Sequence, residues 1–150
     1  MTIALRPATR VDTDLARTMH HQAFREVSER QFGPWDPALQ DRLFAETWAR
    51  GSFSIVLFDG QPCGYLWVQE HNDDVHVHEI VVAPAFQGRG IGTALIQQVL
   101  ARADGRQVPV RLGTLHANRA ASLYRRLGFS EVGRTPTHQL FEWRPAGPGL

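Results

Sequence analysis

The chain has 150 residues, 43% of them hydrophobic, which is enough for one ordinary domain with a sizeable core. With 16 Lys+Arg against 15 Asp+Glu the net charge is +1 and no long basic block occurs, so the sequence lacks an electrostatic footprint for nucleic acid or an anionic membrane. Cys63 is the only cysteine, which excludes an internal disulfide; with no signal-peptide pattern and no apolar run of membrane-spanning length, the expected compartment is the cytoplasm.

Ile3 and Leu5 alternate with smaller or polar residues before Arg6-Pro7, predicting a short first strand that ends at the proline. A helix is predicted from Asp12 or Thr13, with Leu15, Met19, Ala23, Phe24 and Val27 on one face, until Gly33-Pro34. Asp36 is expected to cap a second helix that begins at Pro37, carries Leu39, Leu43, Phe44 and Trp48 on its apolar side, and stops before Gly51. Phe53 to Phe58 is an apolar, β-branched run, and Asp59-Gly60 is a hairpin dipeptide leading to Tyr65-Leu66-Trp67-Val68. Asn72-Asp73-Asp74 turns the chain into a third antiparallel strand, Val75 to Ala83, which Pro84 stops. Ile91, Leu95, Val99 and Ala103 recur every four residues as the stripe of a core-facing helix that Asp104-Gly105 ends. Val108 to Leu112 reads as a strand, although Pro109 belongs there only if its missing N–H faces a side without a ladder partner. Asn118 is expected to cap a short helix through Leu127, with Gly128 at its stop. Glu131-Val132-Gly133 and Gln139 to Trp143 supply closing strands, and residues 145–150 read as a flexible tail after a single domain at 1–144. The predicted order is β-α-α-β-β-β-α-β-α-β-β, a mixed α+β chain without internal repeats.

Gln87-Gly88-Arg89-Gly90-Ile91-Gly92-Thr93 is the most informative stretch. It places three alternate glycines between a buried strand and the first turn of a helix. Backbone N–H groups there have no intrahelical partner, the helix dipole adds partial positive charge, and residues without Cβ let a phosphate approach the main chain. A diphosphate is the natural guest, and Arg89 can add its charge. The run lacks the Gly-Lys-Ser/Thr ending of a P-loop and the G-x-G-x-x-G spacing of a dinucleotide fold. Read alone, it is either an anion cradle or a plain strand-to-helix turn.

Val82-Ala83-Pro84-Ala85-Phe86-Gln87-Gly88-Arg89-Gly90-Ile91-Gly92 resembles the acetyl-coenzyme A signature of the GNAT family of N-acetyltransferases, written Q/R-x-x-G-x-G/A after a V-x-P strand end. Asn118 to Phe129 resembles the same family's N-x-x-A-x-x-L-Y-x-x-x-G-F segment, with the alanine one place off or matched by Ala121. The opening Arg6-Pro7-Ala8-Thr9 is also similar to the family's first strand. The resemblance implies a GNAT-type α+β fold, with a mixed, mostly antiparallel sheet of about seven strands flanked by about four helices, and a V-shaped splay between strands 4 and 5. It further implies acetyl transfer to a primary amine of a small molecule or peptide by direct attack, with acetyl-coenzyme A as co-substrate and no metal. Members often pair through C-terminal strands, which makes a homodimer a candidate state. An acyltransferase using another acyl-coenzyme A, or a non-catalytic coenzyme A sensor, would share these motifs. A nucleotide-binding module is the more distant alternative.

By that resemblance, Ile80, Val81 and Val82 lie along pantetheine, a Val82 main-chain N–H polarises the thioester carbonyl, and residues 87–93 hold the diphosphate. Tyr124 falls on the family's tyrosine position and is the candidate general acid: a thiol of pKa about 8.5 leaves poorly without a donor, and a phenol of pKa about 10 is protonated at neutral pH. Read by itself, Tyr124 is a core aromatic beside Leu123 and Leu127. Asn118 is both helix cap and coenzyme-side contact. Glu79 stands where several members carry a glutamate that deprotonates the amine through water; the alternative is a surface carboxylate paired with an arginine. Strand alternation puts Glu79 with Val75, Val77 and Val81, and puts His76, His78 and Ile80 on the other face. His71, His76 and His78 lack a partner motif for a metal. Cys63 reads as a small buried residue. Trp48 and Trp67 are expected in the core, and Trp35, between the first two helices, in the acceptor pocket.

Overall fold

The structure, a computed structural model, describes residues 2–147. The elements are β1 (Ile3–Pro7), α1 (Thr13–Phe32), α2 (Pro37–Arg50), β2 (Ser54–Phe58), β3 (Gln61–Glu70), β4 (Val75–Val82), α3 (Ile91–Arg106), β5 (Val110–Leu115), α4 (Ala120–Arg126), β6 (Ser130–Arg134) and β7 (His138–Trp143). This is the predicted order. The strands form one seven-stranded sheet in the order β1-β2-β3-β4-β5-β7-β6, mixed because β4 and β5 run parallel. Of the predicted tail, residues 148–150 lie outside the described residues. Contacts divide the described chain into two compact units, residues 2–67 with 79–92, and residues 68–78 with 93–147.

In the first unit, β1 pairs with β2 and β2 with β3, all antiparallel. Asp59 and Gly60 have φ of 48° and 84°, the two left-handed positions of the hairpin turn that the dipeptide predicts. The core is built from Ala16, Met19, Phe44, Phe53, Ile55, Tyr65, Val81 and Ala83. Trp48 stacks on Phe53 at 4.4 Å and Trp67 lies 5.3 Å from the same ring, so both tryptophans pack as expected. The stripe of α1 differs from the expected one. Leu15 is 42% exposed, and the buried line runs Ala16, Met19, with Ala23 and Phe24 packed against it. Successive helix residues are about 100° apart, so Leu15 falls off the face that Ala16 begins. Leu43 on α2 is exposed for the same reason, while Phe44 beside it is buried. Asp36 caps α2 by accepting from the Leu39 N–H at 3.2 Å, with Pro37 in the first turn. Arg6 at the end of β1 grips Asp12 through two hydrogen bonds of 2.8 and 2.9 Å, and with the Thr9 amide it holds that carboxyl down to about 2.

In β3, Cys63 is the extra residue where the register with β2 shifts. The adjacent Gly64 cannot carry a side chain, because a Cβ there would lie 2.0 Å from the Val81 carbonyl oxygen. The Cys63 carbonyl accepts from the Ala83 N–H at 2.8 Å, which fastens the end of β4 to β3.

In the second unit, β4 and β5 pair through Val75, His76 and Val77 against Val110, Arg111 and Leu112. β4 continues to Val82 and β5 to Leu115 beyond the last of these pairs. β5 starts at Val110 rather than Val108, which resolves the difficulty with Pro109: the proline precedes the strand, and its carbonyl accepts from the Val75 N–H at 2.9 Å. Leu95, Val99 and Ala103 are buried along α3 as predicted, and Ile96 joins them. The helix runs past Asp104-Gly105 to Arg106, and the chain leaves it at Gln107 with φ of 54°. Glycine lowers helix stability without forbidding it.

Candidate active site

Gly88 and Gly90 have φ of 79° and 77°, and a Cβ on Gly88, Gly90 or Gly92 would meet nothing within 4 Å. The loop therefore exposes its main chain over open space just before α3, with glycine required at two positions for conformation. Gln87 ties the loop back to its strand, its side-chain amide donating to the Val82 carbonyl at 2.9 Å. The Arg89 guanidinium lies 5.4 Å from the Phe86 ring and 5.7 Å from the Phe58 ring. That placement keeps its charge beside the glycines on an aromatic seat. Ile91 is buried at the start of α3, and Gly92 and Thr93 are half-buried.

Along β4 the predicted alternation holds: Val75, Val77 and Val81 are buried, and Glu79 shares their face. Val81 gives its side chain to the core and turns its carbonyl towards Gly64 of β3, and Ile80 and Val82 are half-buried. The Glu79 carboxylate retains 21% exposure. It is not an arginine-paired surface group: among the described residues its side-chain partners are the Tyr65 hydroxyl at 3.5 Å and His20 Nε2 at 3.8 Å. Burial raises its pKa to about 7, opposed by the Tyr65 hydroxyl. Tyr65, fully buried, has its own pKa pushed up by desolvation and then by the Glu79 charge. His20 lies between the Phe24 and Phe44 rings, at 4.9 and 5.5 Å, and its pKa falls to about 4, through burial first and then His21. It is therefore a neutral imidazole at pH 7.

His20, His21 and Tyr65 are site residues the sequence reading missed. A signal existed, since His20 stands four residues after Ala16 on the buried stripe of α1. Trp35 is half-buried in the α1–α2 loop, 5.3 Å from the His21 ring and under the Arg25 guanidinium at 5.9 Å. His76 and His78 stack face to face at 4.1 Å on the opposite side of β4 from Glu79, and His78 pairs with Gln69 at 2.9 Å. Among the described residues no group of three or more His, Cys, Asp or Glu is arranged to hold a metal. Cys63 is fully buried, and burial pushes its thiol pKa up.

In the second unit, Tyr124 turns inward from α4 and is 7% exposed, its ring 5.7 Å from Phe129 and 6.1 Å from Phe141. Burial raises its pKa to about 12. Among the described residues its hydroxyl has no hydrogen-bond partner, yet no enclosed side-chain polar atom is left unpaired. The ring is thus a core aromatic while the hydroxyl reaches accessible surface, so the two readings of Tyr124 are compatible. Asn118 sits one residue further out than a regular cap: its Oδ1 accepts from the Ala120 N–H at 2.9 Å, and Arg119 holds the cap position.

A family model described as the acetyltransferase (GNAT) family matches residues 20–129. The chain is 35% identical over 88 residues to an uncharacterized N-acetyltransferase of Methanocaldococcus jannaschii, covering 53% of this chain and 39% of that protein. It is 34% identical over 104 residues to the N-alpha-acetyltransferase RimI of Mycobacterium tuberculosis, covering 67% and 64%. The chain thus spans less than two thirds of the length of either relative. The crystal structure of PaiA N-acetyltransferase from Thermoplasma acidophilum, in complex with coenzyme A, superposes with a TM-score of 0.76 at 14% identity, covering 96% of this chain and 99% of that one.

Proposed function

Because this chain belongs to the acetyltransferase (GNAT) family, we propose that it transfers an acetyl group from acetyl-coenzyme A to a primary amine of a peptide or small molecule, by direct attack and with Glu79 as general base. The observation that carries this reading is the buried Glu79 carboxylate, whose pKa of about 7 matches the pH at which it must take a proton. An ordinary surface glutamate is too weak a base for this work.

The residues present fit the co-substrate. The open space over Gly88, Gly90 and Gly92 is where a side chain would otherwise stand, and the free N–H groups opening α3 suit a diphosphate. Bound there, acetyl-coenzyme A supplies an activated thioester carbonyl. Residues 87–93 and the strand segment 80–82 bind and orient it, with the Val82 N–H as the donor to the carbonyl oxygen. Glu79 removes the proton from the acceptor ammonium. Tyr124 keeps its phenolic proton at neutral pH and is the donor for the leaving sulfur, with Asn118 fixing the start of its helix. Trp35 forms a wall for the acceptor. RimI is named for acetylating α-amines, which makes a free peptide N-terminus the first acceptor to test.

Calorimetric titration with acetyl-coenzyme A tests the reading, beside Gly90→Glu, whose side chain enters the space above the loop. Binding by the unmodified protein alone is the expected result, and no binding by either overturns the transferase assignment. All 16 basic residues are arginine, so the chain carries no side-chain amine of its own to compete with an added acceptor.

A further inference from the structure

Glu79 must lose each proton it takes before the next turnover, and its side chain is 21% exposed, against 57% for Asp41 at the surface of α2. On its apolar side stand Val81 and Tyr65; towards α1 stands His20, whose Nε2 is 3.8 Å from Glu79 Oε1. His20 Nδ1 lies 3.3 Å from His21 Nδ1, and His21 Nε2 lies 2.7 Å from Asp41 Oδ1 on α2. Consecutive helix residues usually diverge by about 100°, yet these two rings converge to 5.5 Å between centroids. We propose that His20, His21 and Asp41 form a proton relay that carries the proton taken up by Glu79 from its buried position to solvent. The proposal rests on Glu79 being the base.

The direction follows from hydrogen-bond bookkeeping. The Asp41 carboxylate only accepts, so in its neutral form His21 donates from Nε2–H and its Nδ1 is a bare lone pair. His20 must then donate from Nδ1–H, which leaves His20 Nε2 bare and facing Glu79. Every group is therefore set to pass a proton outward. Closing the 3.8 Å gap to hydrogen-bond length takes a carboxylate rotation of about 1 Å.

In the transfer, the Glu79 O–H bond breaks as an N–H forms on His20 Nε2. The His20 Nδ1–H bond breaks as an N–H forms on His21 Nδ1. Glu79 is again a carboxylate, His20 is again neutral, and the positive charge rests on His21 beside the Asp41 carboxylate. His20, lying between Phe24 and Phe44, never has to hold the charge that its buried position disfavours. His21, 23% exposed, and Asp41, 57% exposed, release the proton to water, and His20, 16% exposed, regains its starting tautomer by giving its Nε2 proton to water and taking one from water at Nδ1. Other charges near this path include the Arg17 guanidinium, 5.8 Å from the Phe44 ring, and the Arg25 guanidinium, 5.9 Å from the Trp35 ring.

These residues act through Glu79 and touch no reacting atom, so the test needs a readout beyond activity. Long-range 1H–15N correlation spectra of the histidine rings at pH 7.5 are expected to show His20 protonated at Nδ1 and bare at Nε2, the reverse of the usual imidazole preference. His20 found protonated at Nε2 overturns the relay, whether or not an acceptor is known. The kinetic arm uses a peptide with a free N-terminal amine. His21→Ala is expected to lower kcat at least about tenfold with KM unchanged, and added imidazole is expected to restore it. A loss that imidazole does not rescue, or one confined to KM, assigns His21 a structural role and overturns the relay. Glu79→Gln separates the two ideas: if it is inactive while His21→Ala turns over normally, only the relay falls; if Glu79→Gln turns over normally, the base assignment falls and the relay with it.

Discussion

Replacing Glu79 by glutamine is expected to stabilise the fold in a pH-dependent way while removing turnover. In the folded protein the carboxyl titrates at about 7, against an ordinary value of 4.5. Between those pH values the native state holds a proton that the unfolded chain has lost. The derivative of unfolding free energy with pH is then negative, so this group's contribution to stability falls as pH rises from 4.5 through 7 and stays low above it. At about 1.4 kcal/mol per pH unit, the full gap converts to roughly 3 kcal/mol, and the fifth of the side chain that stays exposed trims it to roughly 2–3 kcal/mol. Glutamine keeps the shape, still accepts from Tyr65, and carries no charge to desolvate. Near pH 5 the advantage of the variant should therefore be under about 1 kcal/mol. At pH 8.5 Glu79→Gln should be the more stable, melting higher by about 2–4 °C per kcal/mol for a domain of this size. Urea unfolding of both proteins at both pH values measures this directly. An advantage of equal size at pH 5 and pH 8.5, or none at pH 8.5, refutes the claim that burial holds this carboxyl up. His20 works in the opposite direction, losing stability as pH falls from 6.5 towards its folded value of about 4, so the comparison has to be made between the two proteins rather than along the wild-type curve.

Three further outcomes follow from the same geometry. Tyr124→Phe should lower kcat by about 10²–10⁴ while leaving the melting temperature nearly unchanged, because the hydroxyl has no partner among the described residues; unchanged turnover removes Tyr124 as the acid. Gly64→Ala should destabilise by at least about 1–3 kcal/mol, since its Cβ meets the Val81 carbonyl oxygen at 2.0 Å, and an unchanged unfolding midpoint contradicts that close approach. Trp35→Ala should raise KM for the acceptor without altering acetyl-coenzyme A affinity measured by calorimetry, and an equal loss of both excludes a wall specific to the acceptor.

The element order and the glycine loop were legible in the sequence because both are written in local signals: turn dipeptides, apolar periods, a proline that ends a strand. The errors there were local too. Leu15 reads as buried because a count of apolar residues does not say where the stripe begins, and Val108 reads as part of β5 because an apolar, β-branched residue two places before Val110 fits a strand's alternation. The environment of Glu79 was not legible, because it depends on contacts distant in sequence. Its neighbours come from α1 and from β3, and nothing around residue 79 indicates that residues 20 and 65 will desolvate it. A charged residue in a strand of a chain with 16 arginines reads as half of an ion pair until the fold brings histidine and tyrosine to it instead.

The two titrating groups also limit the pH at which the proposed reaction can run. Glu79 is competent only when ionised, above about 7, and Tyr124 only when protonated, below about 12. The upper limit lies beyond the useful range, so kcat should show a single rising limb rather than a bell. With a base of pKa about 7, the ionised fraction grows about tenfold between pH 6 and pH 8, whereas for an ordinary glutamate of pKa about 4.3 it is already nearly complete at pH 6. Measuring kcat at saturating acceptor isolates this limb from titration of the free amine, because kcat reports the groups of the bound complex. A kcat that is flat from pH 6 to pH 8 would mean that the ionisation of Glu79 does not limit the reaction, and its burial against Tyr65 and His20 would then be a cost to stability without a catalytic return.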